Sequence, residues 1–108
     1  MDSKEVLAQQ SKLFRENLPG VTENFSDLCG TVFKDGKLSL KEKELIALAI
    51  AITVKCEGCI VHHTTGCVEA GCTMEEISEM IGVCVAMGGG PSKTFAGKAL
   101  QLAEELLK

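Results

Sequence analysis

Residues 39–54 read SLKEKELIALAIAITV, and this stretch decides the fold class. Ser39 and Glu42 carry the S-x-x-E spacing of a capping box, in which two side chains satisfy free backbone N–H groups at a helix start. Directly behind them comes Leu45–Val54, apolar except for Thr53. A helix that is apolar on every side has to be covered on every side. Its ten residues fall well short of the ~20 needed to cross a bilayer, so the run reads as a buried helix. So short a chain can hardly enclose such a helix alone, and that points to self-association.

Working outward, the punctuation predicts about six helical segments. Ser3–Asn17 is closed by Pro19-Gly20, and Val21–Phe33 is closed by Asp35-Gly36. A segment opens at Ser39, breaks near Lys55–Gly58, and is followed by Glu57–Ala70 with Gly71 as its C′ residue. Thr73 and Glu76 repeat the capping box ahead of Met74–Met87. Gly88-Gly89-Gly90-Pro91 reads as a corner, because it lacks the Lys-Ser/Thr that completes a phosphate loop. The last segment covers about Ser92–Leu107, with Phe95, Ala99, Leu102, Ala103 and Leu106 on one side. Nothing alternates with period two for long enough to make a strand. The expectation is an all-α compact bundle forming a single domain over residues 1–108.

Composition narrows the function. The 108 residues are 45% hydrophobic and 24% charged, with net charge −4, no Trp, no Tyr and four Phe. A chain without a basic cluster lacks the electrostatic footprint of a nucleic-acid binder, and one so poor in aromatics lacks stacking platforms for single strands. Mean hydropathy is high for a small monomer at +0.18. The opening residues Met-Asp-Ser-Lys-Glu-Val precede no apolar signal region, so the expected location is cytoplasmic and off the membrane. Six cysteines stand at 29, 56, 59, 67, 72 and 84. Within helical patterning and a reducing compartment they read as a redox or metal motif plus buried thiols.

The chemistry concentrates in Cys56-Glu57-Gly58-Cys59-Ile60-Val61-His62-His63. One helical turn separates the two cysteines, a spacing of roughly 5–6 Å that a disulfide accepts. His63 follows Cys59 by four residues and His62 follows it by three, so either imidazole can reach the Cys59 sulfur. Cys56 lies about 10 Å from His63 along the axis. A helix N-terminus favours a thiolate at Cys56, and a histidine favours one at Cys59. Histidine also carries the proton away, which favours Cys59 as the attacking sulfur and Cys56 as its resolving partner. Glu44, the last charge before the apolar run, suits a carboxylate held against an imidazole.

Glu44, Cys56, Cys59 and His63 together spell E-x11-C-x2-C-x3-H. This pattern resembles the alkylhydroperoxidase D-like branch of the carboxymuconolactone decarboxylase family, over about Leu40–Leu100. The resemblance implies Cys59 as the peroxide-reactive thiol, Cys56 as the resolving thiol, His63 as the relay base and Glu44 as its orienting carboxylate, with His62 auxiliary. It further implies a helical bundle that assembles as a homo-oligomer, a trimer or more favourably a hexamer. The expected activity is that of a thiol-dependent hydroperoxide reductase or disulfide oxidoreductase of the peroxiredoxin type. Its partners would be a small hydroperoxide and a dithiol reductant, and it would need no organic cofactor and no metal.

Two other readings compete. Lactone decarboxylation, the chemistry in the family's name, needs proton transfer but no redox dithiol. A zinc-binding or redox-sensing module could draw on Cys56, Cys59, His63 and Cys67, one stripe of a helix. Those four span about 16 Å of a straight helix, so one ion would need a broken helix or ligands from another subunit. Cys29, Cys67, Cys72 and Cys84 are assigned no task, and Met74, Met80 and Met87 read as core or interface filler.

Overall fold

The computed structural model describes residues 3–108, which are helical throughout apart from short turns. They group into two units, divided between residues 34 and 35.

The first unit is a helical hairpin of α1 (Ser3–Asn17) and α2 (Pro19–Val32). Leu18 alone joins the two helices, its N–H donating to the Phe14 carbonyl at 2.8 Å and its carbonyl accepting from Thr22 N–H at 3.0 Å. The helix starts at Pro19, two residues before the sequence placed it. Proline at the first helical position has its fixed φ already suited and no N–H to leave unpaired. The pair Pro19-Gly20 therefore opens α2 while closing α1. No residue of α2 is buried, and Leu13, Phe14, Phe25 and Leu28 stand exposed.

The second unit packs α3 (Leu40–Thr53), α4 (Glu57–Glu69) and α5 (Met74–Leu106) against one another. Leu48 and Ile52 of α3, Ile60 and Cys67 of α4, and Ile77, Ala99 and Ala103 of α5 form its sealed centre. Burying each Leu or Ile side chain contributes about 1.5–3 kcal/mol. The small residues Ala96, Ala99 and Ala103 let α5 approach closely. Both expected capping boxes are formed, Ser39 with Glu42 and Thr73 with Glu76. Lys41 ties α3 to α5 through an ion pair with Glu76 at 2.6 Å. That contact raises the Lys41 pKa and lowers that of Glu76.

The two predicted segments 74–87 and 92–107 run as one element, interrupted at Gly89, where φ is 70° and ψ is −153°. Only glycine adopts that backbone without strain, and Pro91 then restarts the helix. The all-round apolar helix is only partly covered within one chain. Leu48, Ala51 and Ile52 are buried, while Ile46, Ile50 and Val54 form an exposed stripe. Two neighbouring helices cover only part of a cylinder, so the rest of α3 is left open within this unit.

Helices α3 and α4 end in the same way. Cys56 N–H donates to the Ala51 carbonyl at 3.0 Å and Lys55 N–H to the Ile52 carbonyl at 3.2 Å. Cys72 N–H donates to the Cys67 carbonyl at 2.9 Å and Gly71 N–H to the Val68 carbonyl at 3.1 Å. Each is the paired 6→1 and 5→2 arrangement of a Schellman motif, with a left-handed C′ residue. That residue is Lys55 at φ 61° in the first and Gly71 at φ 95° in the second.

Candidate active site

The turn after α3 delivers Cys56 to the start of α4 as its N-cap. In that position the Cys56 sulfur accepts the Cys59 backbone N–H at 3.2 Å. An N-cap side chain ordinarily offers oxygen to such a donor; here sulfur takes the place. Cys56 and Cys59 are joined as a disulfide, with Cα atoms 5.2 Å apart. Cys56 is half-buried and Cys59 is exposed. The positive φ at Lys55 and the helix start at Glu57 thus fix where the pair sits, and Gly58 lies inside the first turn without disturbing it.

His63 stands one turn beyond Cys59 on the same helix. Its Nδ1 lies 2.8 Å from Glu44 Oε1, with side-chain exposures of 18% and 11% for His63 and Glu44. An ionised carboxylate only accepts, so Nδ1 carries the proton and donates it to Glu44. In the neutral ring Nε2 is then the accepting nitrogen, the tautomer required for taking a proton from a thiol. His62 is exposed, and its ring meets that of His63 edge to face, with centroids 4.8 Å apart. Glu44 therefore distinguishes two imidazoles that spacing alone leaves equivalent.

One residue that makes this possible escaped the sequence reading. Gly66 lies three residues after His63, and a Cβ built there would overlap the Glu44 carboxylate. The notch lets the carboxylate lie across α4 and reach back to the imidazole. The available signal was an interior helical glycine, which costs about 1 kcal/mol relative to alanine, beside a histidine.

The second half of α5 also reaches this end of α4. Lys98 Nζ lies 3.7 Å from Glu57 Oε1, both partly exposed, a contact of small energetic weight. Cys67 does not join the stripe proposed for zinc; it is fully buried. Among the described residues no three His, Cys, Asp or Glu side chains gather where one ion could be held. Nor is any helix among them long and apolar enough to cross a membrane. Cys84 is buried, its thiol facing the Ala49 carbonyl and the Met80 sulfur, and burial raises its pKa. Cys29 lies half-buried on α2. The open depression bordered by Arg15, Pro19, Thr22 and Glu23 belongs to the α1–α2 unit and contains no cysteine or histidine.

As a chemical arrangement, a redox-capable dithiol, one thiol of it exposed, precedes an oriented and partly shielded imidazole by one helical turn. Comparison with known proteins places the chain in a family. The family model described as the carboxymuconolactone decarboxylase family matches residues 19–105. A family protein of Legionella pneumophila has a similar structure, with TM-score 0.87 and 42% identity over 98% of this chain and 94% of that one. Another, from Thermotoga maritima and with a suggested part in antioxidative response, gives TM-score 0.74 and 34% identity over 80% of this chain and 89% of that one. An uncharacterized protein of Cupriavidus necator is 33% identical over 88 residues, 82% of this chain and 78% of its own length.

Proposed function

The chain belongs to the carboxymuconolactone decarboxylase family, and from that premise we propose that it is a thiol-dependent hydroperoxide reductase working through Cys59 and Cys56. The observation that carries this reading is the 2.8 Å contact between His63 and Glu44, one turn from an exposed member of a dithiol pair. In the reduced state His63 Nε2 accepts the Cys59 proton. The Cys59 thiolate attacks the near oxygen of the hydroperoxide, the O–O bond breaks, and Cys59 becomes a sulfenic acid. The proton held by His63 goes to the departing oxygen, releasing an alcohol or water. The Cys56 thiol then attacks the Cys59 sulfur, its proton leaves with the sulfenic oxygen as water, and the disulfide forms. An external dithiol returns two electrons by exchange. Glu44 keeps the proton on Nδ1 throughout, so that Nε2 is the nitrogen that takes up and gives back the thiol proton. The relative with a suggested antioxidative role supports this direction, and the dithiol favours it over lactone decarboxylation.

The exposed stripe Ile46, Ile50 and Val54 supports assembly as a homo-oligomer, a trimer or hexamer, in the same reading. Light scattering at micromolar concentration is expected to give a multiple of the 11.5 kDa chain mass. The activity is tested by peroxide consumption with a panel of dithiol donors, monothiols serving as controls. Turnover with at least one dithiol and none after alkylation of the reduced protein is the expected result. Lack of consumption with every donor, by a protein whose disulfide does cycle, sinks the peroxidase reading.

A further inference from the structure

The turn that ends α4 holds a second pair of thiols. In a Schellman motif the C3 residue and the residue after the C′ glycine approach each other, commonly through an apolar contact. Here they are Cys67 and Cys72. Besides the 2.9 Å backbone bond between them, each thiol lies close enough to the other to shift its pKa. Both are free thiols, and their exposures are 0% and 2%.

We propose that Cys67 and Cys72 are a second two-electron redox site, which takes a disulfide across the C-terminal turn of α4 when the reduced chain meets a low-molecular-weight disulfide. The backbone hydrogen bond across the turn already brings the two residues together, so the bond would close a turn that the fold has formed. Charged groups from both neighbouring helices face the pair: Glu44 and Lys41 from α3, and Glu76 from α5. Burial raises both thiols above their ordinary range, while Lys41 and the Cys67 S–H offset part of this at Cys72. Cys72 is accordingly the thiol that attacks first. Its thiolate displaces one half of the small disulfide, leaving a mixed disulfide and one released thiol, which takes up the Cys72 proton. Cys67 then gives up its proton and attacks the Cys72 sulfur, expelling the second thiol. Two protein thiols are oxidised and one small disulfide is reduced to two thiols.

Access requires the turn to open locally, so this reaction is slow beside that of the exposed Cys59. Its product is a covalent lock on the end of the helix that carries His63 and Gly66. The inference is independent of the peroxidase reading, since it uses neither Cys56 nor Cys59.

The test starts from the fully reduced full-length protein in oxidised glutathione, sampled over time, alkylated in denaturant and mapped. Two phases are expected: a fast one joining Cys56 to Cys59, then a slow one joining Cys67 to Cys72, with Cys29 and Cys84 left alkylated. The slow-phase product should melt several degrees higher than its precursor, because the link restricts the unfolded chain. Cys72→Ala, or Cys67→Ala if the first fails to fold, should abolish the slow phase alone. A Cys56→Ser/Cys59→Ser variant should retain it. The proposal is overturned if Cys67 and Cys72 stay alkylatable at long times, if either settles as a glutathione adduct or pairs elsewhere, or if the slow phase vanishes in the double serine variant.

Discussion

The turns at the two ends of α4 are built alike and treat sulfur in opposite ways. Each is a Schellman motif whose last residue is a cysteine, Cys56 in one and Cys72 in the other. Cys56 pairs forward, into the next helix, with Cys59. Cys72 pairs backward, into the helix just ended, with Cys67. The forward pair lies at a helix N-terminus, where backbone N–H groups favour a thiolate and the partner is open to solvent. The backward pair lies at a C-terminus, packed into the core and facing the Glu44 charge. The same residue type at the same position of the same motif therefore sits in a solvent-accessible pair at one end and in a buried pair at the other. Direction of pairing and burial decide this, not the cysteine spacing.

Replacing single sulfurs breaks the comparison most sharply. Cys59→Ser is expected to abolish the first reaction with peroxide. Cys56→Ser should react once and stop at a Cys59 sulfenic acid that a dimedone-type reagent traps. The reverse pattern would mean that the N-cap hydrogen bond to Cys56 outweighs the histidine in choosing the nucleophile. Cys67→Ala and Cys72→Ala should leave that first reaction near its wild-type rate. His63→Gln comes next, slowing the first step by a factor on the order of 10²–10⁴, the usual weight of a proton carrier.

The notch at Gly66 sharpens the difference between the ends, because it holds a charge between them. Gly66→Ala displaces the Glu44 carboxylate and should slow the first step by about ten- to a hundredfold, a typical result of misplacing a positioning group by an ångström. Shortening the acid relieves the overlap, so Gly66→Ala with Glu44→Asp should recover part of the loss. The pH profile of thiol reactivity separates this from mere instability: it should move in the single variant and return toward wild type in the double. A profile unchanged in Gly66→Ala would remove Glu44 from the relay.

Much of this was legible in the sequence, because its signals are local. The capping boxes at Ser39 and Thr73, the C′ role of Gly71 and the placing of Cys56, Cys59 and His63 on one helix all follow from spacing within a few residues. The contact between Glu44 and His63 spans nineteen residues; the place of Glu44 before the apolar run suggested it, and the family pattern gave it a role. Gly66 was missed because its reason is a side chain arriving from another helix. Pro19 was read as a stop because the same residue can end one helix and begin the next. The juxtaposition of Cys67 and Cys72 was missed because a C-x4-C spacing carries meaning only across a Schellman turn, and a C′ glycine alone does not say that the 6→1 bond forms.

The two turns also differ in backbone fitness, since Lys55 holds a left-handed conformation that Gly71 adopts freely. Holding an L-residue there costs roughly 1–2 kcal/mol. Gly71→Ala should lose about that much, all of it from the backbone, because a Cβ there meets nothing within 4 Å. Lys55→Gly should gain a comparable or smaller amount, offset by the greater freedom of its unfolded chain. Urea denaturation midpoints at neutral pH measure both, and equal losses in the two variants would mean that the turns are not equivalent.

The smallest effect disappears altogether at neutral pH. Burial raises the pKa of Cys67 and Cys72 above the ordinary thiol value of 9.0. A group whose folded pKa is raised contributes its full share of stability below the unfolded value and loses it as pH climbs toward the folded one. In that window the unfolded chain has shed a proton that the native chain keeps, and each such thiol lowers stability by at most about 1.4 kcal/mol per pH unit. Stability of the reduced protein should therefore decline above about pH 9. The decline should be shallower in Cys72→Ala, with the remainder reflecting Cys67 and Cys84. Locking Cys67 to Cys72 should flatten it in the same way, since a disulfide has no proton to lose. Denaturant midpoints between pH 7 and pH 10 for the reduced, oxidised and Cys72→Ala proteins provide the measurement. Identical slopes in all three would show that these thiols are solvated in the native state. The two ends of α4 would then not differ as burial requires.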